Sequence, residues 1–96
     1  MSPKNKKKLI KIRNKLDKLD NQLLSLIKYR TNLVNEVVKL KEYKKEIVDK
    51  KRIEIILKKI NQKSKKLKID TKITNRIWKN MIWSYIDYER KTFKKK

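Results

Sequence analysis

The chain has 96 residues, 31 of them Lys or Arg and 10 Asp or Glu, for a formal net charge of +21; it contains no glycine, cysteine or histidine and one proline, Pro3. This composition excludes disulfide frameworks, thiolate nucleophiles, glycine-rich phosphate loops, zinc sites built from Cys or His, and imidazole acid–base chemistry. A chain of this length forms one small domain with a limited core, which pairing with a second copy would enlarge.

The first predicted element is one long helix over about 7–43. Read as a heptad from Leu9, its a and d positions are Leu9, Ile12, Leu16, Leu19, Leu23, Leu26, Arg30, Leu33, Val37 and Leu40. Such a helix spans on the order of 55 Å, too long to fold back on itself, and therefore needs partners. The run 44–48 breaks the period. Asp49 then reads as the N-cap of a second helix, with Val48 before it as the staple residue. Ile53, Ile56, Leu57, Ile60 and Leu67 form the apolar face of that helix, and Lys65, Lys66 and Lys68 give it a basic last turn that suits the helix dipole. Asp70 caps a third helix, whose apolar positions are Ile73, Ile77, Trp78, Met81, Ile82, Tyr85 and Ile86. No strand pattern, internal repeat or linker is visible. The predicted fold class is all-α, with one long and two shorter helices in a single domain over 1–96, and with 1–6 and 94–96 as disordered basic tails.

The basic excess invites a nucleic-acid partner through counterion release. The lysines, however, are spread over polar helix faces and both tails, which is a bias of the whole sequence rather than a patch. The basic start is not followed by an apolar stretch of signal-peptide length, and no apolar run approaches the length of a membrane span. The expectation is a soluble, cytoplasmic protein with no membrane partner.

Arg30 is the anomaly of the heptad, a guanidinium in an aliphatic seam within a chain that has only five arginines. A charge that stays ionised is costly to bury unless an anion meets it, which makes the seam a candidate site for a negative ligand. Lys41 lies about three turns and about 16 Å further along nearly the same face, within joint reach of one small ligand. Arg13 lies about 25 Å before Arg30, too far to share a small ligand on one helix. An antiparallel second copy would bring it close and create two equivalent mixed sites. The alternative is that Arg13 is a solvated flank residue and Arg30 a register-setting polar residue of a coiled coil. Arg52, in the first turn of the second helix, gains nothing from the helix dipole and is better explained by an outside partner. In the third helix the stripe Trp78, Ile82, Tyr85 continues onto Glu89. That carboxyl is either partly desolvated and functional, or a surface group in solvent or paired with a lysine.

These residues together carry a resemblance. The run Ile12-Arg13-Asn14-Lys15-Leu16-Asp17-Lys18-Leu19-Asp20, with Leu23-Leu24-Ser25-Leu26-Ile27-Lys28-Tyr29-Arg30 after it, is similar to the opening of the all-helical, AroQ-type chorismate mutases. The similarity continues through Val37, Val38 and Lys41 and through Val48-Asp49-Lys50-Lys51-Arg52, and covers about Leu9 to Glu89.

The resemblance implies an intertwined helical homodimer that rearranges chorismate to prephenate in phenylalanine and tyrosine biosynthesis, with no metal or cofactor. By the same resemblance Arg30, and Arg13 across the dimer interface, bind the two substrate carboxylates, with Arg52 assisting. Lys41 donates to the ether oxygen, Asp49 contacts the ring hydroxyl, and Glu89 falls where most bacterial members have a Gln that also donates to the ether oxygen. Three positions depart from the pattern. Ile53 replaces a glutamate that contacts the substrate hydroxyl, Tyr85 stands in the pocket where a small Ser is common, and Glu89 can donate only when protonated. Two other readings accompany this one. Relatives with this fold eliminate pyruvate from isochorismate, and the Ile53 change lies at the ring-hydroxyl end. A non-enzymatic basic helical dimer that binds nucleic acid is the third, although no helix carries an Arg-rich face or interleaved exposed aromatics.

Overall fold

A computed structural model describes residues 1–94, which contain three α-helices and one 3-10 turn and no strand. The chain divides into two compact units, Met1–Leu33 and Val34–Lys96. Helix α1 (Pro3–Leu40) supplies nearly all of the first unit and opens the second. The helix starts earlier than its hydrophobic period. The Ser2 hydroxyl accepts the Asn5 N–H at 3.2 Å as an N-cap, and Pro3 occupies the first helical position, where its missing N–H and fixed φ cost nothing. Residues 3–6, expected within a disordered tail, are therefore helical; of the tail expected at 94–96, Lys94 follows the last helix and 95–96 lie outside the described residues.

Val38 is the one buried residue of α1. In the first unit the seam leucines Leu16, Leu19 and Leu23 are each about half exposed. Each such side chain offers roughly 1.5–3 kcal/mol on full burial.

Helix α1 ends at Leu40, three residues before the expected Tyr43, and the reason lies downstream. The Glu46 carboxylate accepts the N–H groups of Glu42 (2.7 Å) and Tyr43 (2.9 Å) and draws the chain into a 3-10 turn over Lys44–Glu46, with Tyr43 extended and the Lys45 ammonium 5.5 Å from its ring centroid. The Tyr43 and Glu42 hydrogen bonds hold the Glu46 carboxyl below its ordinary value of 4.5. A carboxyl lowered by folding contributes stability above its unfolded value and loses that contribution as pH falls through the folded one. The melting temperature of the protein should thus drop on acidification below pH 4.5, and Glu46→Ala should remove this part of the drop while lowering the neutral-pH value. Thermal melts followed by circular dichroism would show it; an identical acid dependence in the variant would discount the cap.

The second unit has a core of Ile47, Ile82 and Ile86, against which Val48, Ile53, Ile56, Leu57 and Phe93 pack. Helix α2 (Lys50–Lys66) begins as its sequence predicts, with Asp49 Oδ1 accepting the Arg52 N–H at 3.0 Å. Val48 and Ile53, the two staple positions, meet on the same apolar cluster. Leu67, expected on the apolar face, is instead 71% exposed, because α2 ends at Lys66 and the chain reverses there.

The reversal is a Schellman closure. Lys68 takes φ 57°, its N–H donates to Lys65 O (3.1 Å), and the Ile69 N–H donates to Ser64 O (2.9 Å). Glycine is the usual occupant of such a left-handed position, and a chain without glycine accepts roughly 1–2 kcal/mol of backbone strain there. Asp70 then caps α3 (Thr71–Thr92) by accepting the Lys72 N–H at 2.9 Å. Buried Ser64 and Thr74 join the two helices, their hydroxyl oxygens 2.8 Å apart. Ile82 and Ile86 supply the buried face of α3, whereas Ile73 and Ile77, expected among its apolar positions, remain half exposed in the single chain. No helix among the described residues is long and apolar enough to cross a membrane.

Candidate functional site

Five of the seven candidate residues belong to the second unit, and the center of their arrangement is an ion pair. Lys41, one residue beyond α1, places its Nζ 3.1 Å from Glu89 Oε1 in the last turn of α3. The two side chains are only 19% and 10% exposed, so the pair is well shielded from solvent. Glu89 is therefore not a frayed end in solvent: it is desolvated, as one reading expects, and it is paired with a lysine, as the other expects. The carboxyl that prolongs the Trp78, Ile82, Tyr85 stripe is buried, and its lysine partner is the one that the long helix delivers.

Beside this pair a cleft of about 600 Å³ opens between the end of α1 and the start of α2, lined by Val37, Leu40, Lys41, Glu46, Val48, Asp49, Lys50 and Lys51. Its walls combine aliphatic surface with ammonium groups and two carboxylates. Asp49 takes part twice, as a wall of the cleft and as the cap of α2 through Oδ1. Arg52 lies in the first turn of α2, exposed, with its N–H given to that cap and its guanidinium turned outside the core. Tyr85 is half-buried and meets Tyr88 edge to face, with ring centroids 6.4 Å apart and planes at 87°. Ile53 packs against the apolar cluster.

The other two candidates, Arg13 and Arg30, lie in the first unit, Arg13 exposed and Arg30 half-buried. Among the described residues no group of three or more His, Cys, Asp or Glu is placed to hold a metal ion.

Two participants carried no signal in the sequence reading. Glu46 lines the cleft while its carboxylate caps the 3-10 turn it belongs to, a role that α-helical periodicity does not report. Tyr88 donates its hydroxyl to Asn35 Oδ1 at 2.8 Å and so links α3 to the last turns of α1. Asn35 is an f position of the heptad, opposite the seam, where a polar residue ordinarily reads as solvated. It shows that the end of α1 uses two faces. Asn35, the buried Val38 and Lys41 recur at spacing three and include both residues bonded to α3, while Val37 and Leu40 of the seam stay exposed at 48% and 81%.

No curated protein and no solved structure matches the chain. The family model of chorismate mutase type II matches residues 12–90, which takes in every candidate residue from Arg13 to Glu89. With an all-helical architecture of one long and two shorter helices and a match over most of its length, this chain belongs to the chorismate mutase type II family.

Proposed function

We propose that the protein is a chorismate mutase that rearranges chorismate to prephenate as a homodimer. The observation that carries this reading is the shielded Lys41–Glu89 pair, two groups the family resemblance assigns to the ether oxygen, brought to 3.1 Å from positions 48 residues apart. The reaction is pericyclic. The C–O ether bond breaks as a C–C bond forms within one molecule, and no nucleophile, redox group or proton need be consumed. The protein's tasks are to hold a flexible dianion in its compact conformer and to set fixed donors where negative charge grows on the ether oxygen. Arg30 and the partner subunit's Arg13 take the carboxylates, for which a planar guanidinium is suited, with Arg52 assisting. Lys41 donates to the ether oxygen as a point charge. Asp49 meets the ring hydroxyl, and Tyr85 lines the pocket. The half-exposed seam of α1 supports the dimer, since an aliphatic a/d stripe left open in the single chain is a surface that a second copy can cover.

The direct test is loss of the ultraviolet absorbance of chorismate on adding purified protein, with prephenate identified as the product. A stable chorismate signal at saturating protein would overturn the proposal. Ile53 supports a second reading, elimination of pyruvate from isochorismate, because an isoleucine packed half-buried against the core offers no acceptor to a ring hydroxyl. Release of pyruvate from isochorismate, faster than prephenate formation from chorismate, would select it.

A carboxylate beside the breaking bond repels the developing oxyanion, whereas an amide at the same place donates to it. Glu89→Gln is therefore expected to raise the neutral-pH rate roughly tenfold, the usual scale for one well-placed donor being larger. Equal turnover of chorismate by the two proteins would remove Glu89 from the reaction.

A further inference from the structure

We propose that Asn35 and Tyr88 are positioning residues, a second tether that sets Lys41 and Glu89 at their working distance; the proposal rests on the chorismate mutase reading. Lys41 is not held by a helix of its own. It follows the last residue of α1, and its backbone is anchored by one hydrogen bond, from its N–H to Val38 O at 3.2 Å. The position of its ammonium therefore depends on how the end of α1 is fixed against α3. Two side-chain hydrogen bonds do this, Lys41 Nζ to Glu89 Oε1 at 3.1 Å and Tyr88 Oη to Asn35 Oδ1 at 2.8 Å.

The first of these bonds shares its ammonium, which has three N–H donors, with the substrate oxygen during turnover, so it belongs to the reacting groups rather than to their support. The second is free to persist. Asn35 precedes Lys41 by six residues, about 9 Å along a helix axis, and Tyr88 is the neighbour of Glu89, about 100° around α3. The tether thus stands beside the reacting groups without touching them. A phenol–amide hydrogen bond is directional and resists sliding along or rotation about the helix axis, which a greasy contact would permit. The Tyr88 ring also makes the edge-to-face contact with Tyr85, so the same residue is held on α3 by a second contact. Displacement of catalytic groups by about 1 Å costs on the order of 10²-fold in rate.

The test is steady-state turnover of chorismate by the wild type, Tyr88→Phe, Asn35→Ala, Asn35→Asp and the Tyr88→Phe/Asn35→Ala double variant, with helicity checked by circular dichroism. Tyr88→Phe keeps the ring contact with Tyr85 and removes only the tether. It should lower kcat by about 10- to 100-fold and leave KM within about twofold, since carboxylate binding is untouched. Asn35→Ala should do the same, the double variant should be no worse than the poorer single one, and Asn35→Asp, which keeps an acceptor for the phenol, should recover most of the lost rate. An unchanged kcat in Tyr88→Phe, multiplying losses in the double variant, or an Asn35→Asp no better than Asn35→Ala would each overturn the tether. A wild type inactive on chorismate would instead overturn the functional reading, and the tether with it.

Discussion

Lys41→Ala is expected to reduce kcat/KM for chorismate by about 10³-fold, the upper end of what loss of one charge-stabilising donor costs. The upper end applies because the variant does more than remove a donor. It leaves the Glu89 carboxylate, whose side chain is 10% exposed, without its cation at the place where negative charge must grow. The same uncompensated group should lower stability by about 1–3 kcal/mol. Activity and stability are separable here. Replacing the pair by apolar residues of similar volume, as in Lys41→Met with Glu89→Leu, should restore or exceed the wild-type stability, because desolvating two charges offsets most of their attraction, yet leave the enzyme inactive. Calorimetry and chorismate kinetics on the three proteins decide the matter. A Lys41→Ala enzyme that keeps more than a tenth of its activity removes Lys41 from the reaction.

On the proposed homodimer, Leu23→Glu is expected to convert the dimer into a monomer and to lower helicity across α1. In the single chain no residue before Val34 is buried, and Leu23 is half exposed at the middle of an apolar a/d seam. A helix within a protein draws most of its stability from packing of its apolar face rather than from intrinsic propensity, so covering that seam should stabilise the first unit. In a two-fold pairing the substitution is present twice. Each copy forfeits the roughly 1.5–3 kcal/mol of a buried leucine and adds the cost of desolvating a carboxylate. Sedimentation velocity and far-UV circular dichroism at matched concentrations provide the measurement. A wild-type sedimentation profile from the variant would rule out the seam as the dimer interface.

Local signals were legible where the physics is local. Asp49 and Asp70 announce the starts of α2 and α3 because a short polar side chain satisfies backbone donors two or three residues ahead. The ends of α1 differ from its hydrophobic period for two different reasons. Lysine-rich composition at the N-terminus concealed the Ser2–Pro3 start, and the C-terminal stop is imposed by Glu46, four residues downstream of the N–H it captures. Lys41 and Glu89 could each be singled out from sequence, one by its helical spacing from Arg30 and the other by its place on an apolar stripe. Their contact could not, since no periodicity relates residues 48 apart. Asn35 and Tyr88 left no trace at all, because each looks like an ordinary polar residue until the other is beside it.

The sequence by itself determined the helical periods, the caps between helices, the exclusion of Cys and His chemistry and the family. Those properties reside in residue types and short spacings, and they survive in any arrangement of the helices. Only the tertiary structure decided which face the end of α1 turns toward α3, and with it the closing of Lys41 onto Glu89, the hydrogen bond from Tyr88 to Asn35 and the packing of Ile53 against the core. A hydrophobic stripe states that a face will be covered without stating by what, and the partner is selected by three-dimensional approach between segments far apart in the chain.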